Sequence, residues 1–408
     1  METATKALYN TTMIRVGVGQ SVHDSPEKAA REAARMAMKR AGLRRADLAL
    51  VFASAAYHPN YPLLLKALRN ETDADHRIGC SALGVITSDG EWETPHAVAV
   101  MVISSDTLSV APFLLHPLHE RGDLVGRTLG RMAADAAHDE PSHSSLAIVL
   151  PDTYNFQSEP FIKEFHKAAD RTTMAGGGAS EDGSLMQTFQ MYQDQVLSDA
   201  VAGFILNGPF THTIGLAQAC HPIGNPMMVT RGGHNTIYEL AGRPALEWYT
   251  KLFAHIPPER VRAATGLVFV GFPADSAETR FHRGSYLIRN VMGVDPREGS
   301  ITIPDAVEEG QVISFMLREP GESARDMETV VSELAKIHHG RPPSLALYFN
   351  CCGRGRSLYG STGVDHAIIK KYFGDIPLIG FFTYSEIAPI HGITRFHNYS
   401  GVLVLIGE

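Results

Sequence analysis

The run Cys351-Cys352-Gly353-Arg354-Gly355-Arg356 packs more chemistry into six residues than any other stretch of the chain. Glycines on both sides of Arg354 let the backbone turn sharply and free several N–H groups. A guanidinium set among them can hold a carboxylate through two parallel hydrogen bonds. The run directly follows the apolar stretch Leu345–Phe349, and the loop after the carboxyl end of a strand is where open α/β sheets place ligands. An arginine in a glycine turn is also an ordinary surface feature, and both readings stand. Downstream, Tyr384, Ser385, Glu386, His391, His397 and Asn398 place polar groups in an otherwise apolar final segment. Each of them costs about 1–3 kcal/mol if buried without a partner. Either a ligand satisfies them or they satisfy one another, with Glu386 fixing a turn and His397-Asn398 closing the last strand.

Other groups carry weaker signals. Cys80, beside Ser81, and Cys352 sit at strand-to-turn positions where a thiol nucleophile could face backbone donors, yet a buried cysteine is more often an inert small hydrophobe. Gly176-Gly177-Gly178 resembles a phosphate cradle but lacks the GKS/T or GxGxxG frame, so a structural turn with close backbone approach reads better. The sequence has 19 histidines, and none falls in an HxH, HExxH or CxxCH pattern. A haem ligated by His391 or His397 is therefore an alternative, with no cofactor required and no metal site expected.

The elements that must position these residues repeat. Leu48-Ala49-Leu50-Val51-Phe52, Leu146-Ala147-Ile148-Val149-Leu150 and Leu345-Ala346-Leu347-Tyr348-Phe349 open three copies, and Gly79, Gly176 and Gly380 follow them by 31, 30 and 35 residues. Each copy closes on another apolar run, at Ala97–Ile103, Ala200–Leu206 and Gly401–Ile406. A strand, helix, glycine turn and strand used three times implies internal pseudo-symmetry. The fold class read from this pattern is α/β: two mixed domains, 1–225 and 226–408, built from repeated strand-helix-strand units.

Local signals fill in the rest. A strand is expected at 12–19, then a helix capped by Asp24-Ser25-Pro26-Glu27 and stopped at Gly42. Further helices are expected at 62–69, 158–169, 244–254 (ended by Pro257-Pro258) and 324–338, the last capped by Ser323. Strands are expected at 266–271, 286–292, 300–303 and 311–317. Net charge is −8 and mean hydropathy −0.07 over 408 residues. That balance offers no basic footprint for nucleic acid. Only four cysteines are present, no apolar run approaches a membrane span, and no signal peptide is visible, so a cytoplasmic protein without membrane insertion is expected.

A family resemblance rests on particular strings. Arg289-Asn290-Val291-Met292-Gly293-Val294-Asp295, Gly310-Gln311-Val312 with Phe315, Leu317 and Arg318, Cys352-Gly353-Arg354-Gly355 with Leu358-Tyr359-Gly360, Pro377–Phe382 and Glu386-Ile387 resemble the C-terminal FIST domain. Gly79–Gly84, Gly176–Ala179 and Gly215 with Pro222-Ile223-Gly224 are similar to the N-terminal FIST domain. Ser385 stands where the family usually has glycine before the glutamate. The resemblance implies a small-ligand sensory module of bacterial signalling, with amino acids among the ligands proposed for the family and haem in some members. With Glu408 close after the last strand, a separate signalling output protein is the expected partner. The expected ligand site gathers Arg354, Gly353, Gly355, Cys352, Tyr384, Glu386, His397, Asn398, Cys80 and Ser81. It would hold a small anionic or zwitterionic metabolite, its carboxylate on Arg354 and any amine near Glu386. An enzyme using Cys352 or Cys80 as nucleophile is the remaining alternative.

Overall fold

Apolar runs without polar alternation require strands covered on both faces, and the molecule supplies both covers. A computed structural model of the chain describes residues 14–137, 143–275 and 277–408. Leu48, Leu50 and Phe52 face one central core together with Leu146, Ile148 and Leu150 and with Leu345, Leu347 and Phe349. The residues between them point outward to helices. Ala49 and Val51 join one helix-covered cluster, Ala147 and Val149 a second, and Ala346 and Tyr348 a third.

Three six-stranded sheets surround that core. In the first, Arg15–Ser21, Val98–Ser104, Leu48–Ser54 and His76–Ala82 lie side by side. The second repeats the order with Ser109–Leu115, Val201–Gly208, Ser144–Pro151 and Thr173–Gly177, and the third with Thr211–Gln218, Ser400–Gly407, Leu345–Cys351 and Leu378–Thr383. Helices Pro26–Ala41 and Tyr61–Thr72, Gly122–Ala136 and Ser158–Ala168, and Pro320–Ile337 and Val364–Phe373 fill equivalent connections. In each sheet the second pair of strands is parallel, joined through its helix.

Every sheet is finished by a hairpin from another unit. The arm Val85–Thr87/Gly90–Trp92 of the first unit joins the third sheet. The arm Gln190–Tyr192/Gln195–Leu197 of the second joins the first sheet, and Glu386–Ile390/Ile393–His397 of the third joins the second. Val85 opposite Phe381, Gln190 opposite Cys80 and Glu386 opposite Gly177 are the matching registers.

The repeated glycine has a steric cause. A Cβ on Gly79 would lie 1.7 Å from the carbonyl oxygen of Val51, on Gly176 2.0 Å from that of Val149, and on Gly380 2.0 Å from that of Tyr348. No side chain fits between the paired strands there. Close packing of the first helix is set the same way, by Ala30, Ala33, Ala34 and Ala37, all fully buried.

The third unit carries an insertion between its first strand and first helix. Its sheet runs Tyr286–Asn290, Val268–Pro273, Val312–Arg318, Cys220–Gly233, Thr236–Leu240, Ser300–Thr302, Gly293–Asp295. Residue 225, where the sequence reading divides the chain, lies within the strand Cys220–Gly233, and the third sheet combines strands from both sides of it.

Local expectations hold with adjustments. The first helix is capped by Ser25 and ends at Gly42 as read, while its preceding strand is Arg15–Ser21, residues 12 and 13 lying outside the described ones. Pro258 opens a short helix, Pro258–Thr265, instead of only ending one. Ser323 is not the cap of its helix. Glu319 is, accepting from the N–H groups of Gly321 (3.0 Å) and Glu322 (2.8 Å), because Pro320 starts the helix four residues earlier. The Ser323 hydroxyl instead donates to Ala219 O at 2.7 Å, tying helix to insertion.

The glycine contacts set a stability prediction. Gly79→Ala drives a methyl into backbone and is expected to cost about 3 kcal/mol, whereas Gly293→Ala, whose Cβ meets nothing within 4 Å, changes stability by less than about 0.5 kcal/mol. Urea midpoints of the two variants check this.

Candidate functional site

The carboxyl ends of Leu48–Ser54, Ser144–Pro151 and Leu345–Cys351 meet at one end of the molecule, where the arms cross between sheets. Backbone bonds knit this crossing. Cys352 N–H donates to Thr383 O at 2.7 Å, Gly178 N–H to Ser385 O at 2.8 Å, Tyr384 N–H to Gly178 O at 3.2 Å and Ser180 N–H to Ser81 O at 3.1 Å. Ser180 also receives the Leu83 N–H (2.8 Å) and donates to Phe382 O, so one hydroxyl ties all three units. Ser385 is buried beside it, and its hydroxyl has no partner.

Glu386, first residue of the third arm, is fully buried. Thr383 Oγ1 donates to its Oε1 at 2.5 Å, and the Ser400 hydroxyl and N–H donate to Oε2 at 2.6 and 3.1 Å. Burial, with Cys351 beside it, holds this carboxyl well above the ordinary carboxylate range. Its neighbours satisfy it without a ligand. The buried His397 places Nε2 3.1 Å from Ala388 O, and burial pushes it down to about 4, so the ring is neutral. His391 lies on the exposed tip of the same hairpin, and Asn398 is half-buried after it.

Arg354 is also fully buried, and its partner is internal. Nε and Nη2 hold the Asp365 carboxylate at 2.9 and 2.8 Å, Nη2 reaches Tyr359 Oη at 2.8 Å, and Tyr348 Oη donates to Asp365 at 3.0 Å. Burial alone would raise Asp365, but the guanidinium overrides it and holds the carboxyl below its usual range. A ligand carboxylate on Arg354 would have to displace Asp365. Gly353 is packed against the Tyr399 ring and Gly355 against Phe382 and Glu93, positions where a Cβ would stand 2.8 and 2.5 Å from its neighbours. Arg354 Nη1 and Asn350 Nδ2 are left without partners in this cluster.

The structure therefore separates the residues that the sequence reading grouped. Cys352, Tyr384 and Glu386 come together around Thr383. Arg354 lies outward of the third sheet with Asp365, and Cys80 and Ser81 lie in the first sheet, where Ser81 Oγ accepts from Phe189 N–H at 3.0 Å. Burial pushes the Cys80 thiol well above its usual range, which disfavours the thiolate form there. Cys352 is only half-buried, and its bond with Cys351 lowers its thiol while Cys351 rises.

Two features lie outside the expected site, the first on a polar loop after a strand end and the second unmarked. Asp152 is almost completely buried and organises its loop: Oδ1 accepts from Tyr154 N–H (3.1 Å) and Thr188 Oγ1 (2.7 Å), Oδ2 from Asn155 Nδ2 (2.8 Å) and Asp199 N–H (2.8 Å). Its place after the second strand, matching Cys351 after the third, was the available signal. The second is a cavity of about 260 Å³ between the insertion and the helix Pro320–Ile337. Arg283 faces Asp326 at 3.8 Å and Glu333 at 2.7 Å, Glu322 pairs with Arg325, and His221 Nδ1 has no partner. Asp326, raised by burial, accepts from Gln218 N–H at 2.7 Å. No sequence motif marks it, since its walls lie about a hundred residues apart.

The FIST N domain family matches residues 47–243 and the FIST C domain family residues 245–389. The uncharacterized proteins Rv0628c and MT0897 of Mycobacterium tuberculosis are each 30% identical over 393 residues, covering 96% of this chain and 99% and 98% of their own. MJ1623 of Methanocaldococcus jannaschii is 20% identical over 407 residues, covering 89% of this chain and 74% of its own length. Among solved structures, a cyanuric acid hydrolase from A. caulinodans aligns with a TM-score of 0.26 and 11% identity over 48% of this chain and 71% of that one, too slight a likeness to carry argument.

Glu91, in the first arm, gives a pH prediction. It accepts from Gly363 N–H (2.7 Å) and His366 N–H (3.0 Å) at the start of the helix Val364–Phe373, and burial, with Asp365 next, raises it from 4.5 to about 7. Between those values the unfolded chain has lost the proton that the folded one keeps, so stability falls as pH rises through the window, by roughly 3 kcal/mol. Glu91→Gln is expected to flatten the fall in unfolding free energy from pH 5 to pH 8; an unchanged slope refutes the assignment. Arg354→Met, which strands Asp365 in the interior, is expected to cost about 3–5 kcal/mol by urea unfolding.

Proposed function

The chain belongs to the FIST family, and from that premise we propose that it is a sensory protein whose small ligand binds in the cavity between the insertion and the helix Pro320–Ile337. FIST domains are small-ligand sensory domains. The observation that carries the placement is the mixed charge of the cavity walls: Arg283 on the insertion side stands with His221, and Asp326 and Glu322 project from the helix. A wall with both signs suits a zwitterion such as an amino acid, carboxylate toward Arg283 and ammonium toward Asp326. Volume agrees, since about 260 Å³ lies below the range of drug-sized pockets and admits a metabolite of amino-acid size.

The ligand would bridge two separately built parts. The insertion sheet contributes Cys220–Pro222 and Tyr286, whose hydroxyl donates to Cys220 O at 2.7 Å. The frame contributes Ser323, Asp326 and Thr329 from one helix face. An occupant contacting both favours one relative placement over others, which is the differential affinity any sensor needs. Arg354 acts here at one remove, because its charge reaches Asp326 and lowers it against the rise from burial.

A thermal-shift screen of amino acids and small organic acids tests this. A binder present at a hundredfold excess over Kd is expected to stabilise by about 2.7 kcal/mol, a rise of several degrees. Arg283→Ala and Asp326→Asn are each expected to abolish the rise. A screen in which no compound moves Tm, or one in which both variants respond like the parent, rejects the placement.

A further inference from the structure

Two tyrosines at the crossing of the arms stand open to solvent. Tyr154 is 40% exposed and Tyr384 52% exposed, although the backbone N–H of each is hydrogen-bonded, to Asp152 and to Gly178 O. Their ring centroids lie 6.4 Å apart with planes inclined by 41°, forming a wedge and not a stack. Met186, 69% exposed, stands at the hydroxyl end of Tyr154, its sulfur 4.0 Å from Oη. Glu181 supplies a carboxylate at the same place: Oε1 receives the Tyr154 hydroxyl at 2.5 Å, and Oε2 receives the Leu185 N–H at 2.9 Å.

The backbone fixes these groups in advance. Asp152 holds the Tyr154 N–H and, through Thr188, the far end of the loop carrying Met186. Tyr384 N–H is bound to Gly178 O, and Gly178 N–H to Ser385 O. Tyr384 and Met186 thus come from different units, and each approaches Tyr154 across one pinned junction. Rings held exposed by a rigid frame are arranged to meet something other than their own core.

The chemistry of the walls selects the occupant. Ring faces carry negative electrostatic potential, a thioether is polarizable, and the charged groups whose fields reach the Tyr154 hydroxyl, Glu181 and Asp152, are acidic. The one carboxylate there already accepts a hydrogen bond on each oxygen, from the Tyr154 hydroxyl and the Leu185 N–H, so it offers charge more than a free acceptor fork for a primary ammonium or a guanidinium. Among the described residues, arginine and lysine stand over Tyr238, Trp248, Tyr359, Tyr372 and Tyr399. A cation at the mouth of the wedge would lie within the ~6 Å of both ring centroids at which such attraction is effective. A methylated ammonium group fits these conditions: it is cationic, weakly hydrated and covered in methyl groups that need faces, not acceptors.

We propose that Tyr154, Tyr384 and Met186, with Glu181 as counter-charge, form a cage for a trimethylammonium group. This site is separate from the cavity beside Asp326 and stands whether or not that cavity binds a metabolite.

The test uses the full chain titrated with choline and with 3,3-dimethylbutan-1-ol, its uncharged isostere, followed by tyrosine fluorescence and by NMR of the choline methyl groups. Choline is expected to bind saturably, and the isostere at least about tenfold more weakly, the ratio that cation–π attraction from two rings would give. Tyr384→Ala is expected to weaken choline about tenfold, Tyr384→Phe to keep binding within about threefold, and Glu181→Gln to weaken it severalfold and reduce its salt dependence. A trimethyllysine peptide forms a second arm: tighter binding than choline identifies a modified side chain as the source of the group, and weaker binding a free small molecule. Equal binding of choline and the isostere, an unaffected Tyr384→Ala variant, or no saturable signal at any soluble concentration overturns the proposal.

Discussion

Each of the three sheets contains a hairpin that its own unit does not supply, and the order of everything else follows from that exchange. A strand such as His76–Ala82 cannot satisfy its outer edge within its unit, so the Gln190–Tyr192 strand of the next unit must bond to it. The same holds around the ring. A unit on its own would leave an unpaired sheet edge and an uncovered apolar inner face, so folding must be cooperative across all three. The exchange also moves side chains. Glu91 and Glu93 travel on the first arm into the third unit, where they receive the N–H groups of Gly363, His366 and Arg356 at the starts of two helices. Carboxyl groups at helix N-termini accept from orphan donors, so the arms bond through side chains as well as through strand pairing.

The repetition was legible because the forces behind it are local. An inward Leu, outward Ala, inward Leu pattern is imposed by two apolar faces, and a glycine follows wherever parallel strands bring a carbonyl to about 2 Å from the position of a Cβ. Caps such as Ser25 and Gly42 are local too. The arm exchange was not legible, since nothing in Glu386-Ile387-Ala388 says whether its partner is Gly380 or Gly177; pairing specificity resides in three-dimensional closure. Arg354 was read as a residue able to hold a ligand carboxylate, and the carboxylate it holds in the structure is that of Asp365, only eleven positions on. Spacing alone could not show this, because the intervening Gly355–Tyr359 turn folds the chain back.

The polar load of the third copy thus divides into groups that satisfy one another and groups that do not. Glu386, Thr383 and Ser400 form a closed set, and Arg354, Asp365, Tyr348 and Tyr359 satisfy one another except at Arg354 Nη1. Buried polar sets of this kind are costly when half-complete, so they resist change and suit a framework. A reversible ligand requires the opposite condition: walls that water can reach and charges held near, but not fully absorbed by, their partners. Arg283, 3.8 Å from Asp326 and paired with Glu333 only where water competes at the surface, and the exposed Tyr384 meet that condition; the fully buried Arg354 and Glu386 do not.

Both open regions lie where the threefold pattern is broken. The cavity beside Asp326 exists because the third unit alone carries an insertion between its first strand and first helix. The wedge exists because the second unit alone has a long loop, Gly178–Phe189, before its arm, where the first unit has only Leu83-Gly84 and the third only Tyr384-Ser385. A symmetric frame fills its equivalent positions with equivalent packing and leaves no concavity that one unit does not share with the others. Departure from the repeat is therefore the physical requirement for a site. Searching a repeated fold for function means searching its unequal loops before its shared turns.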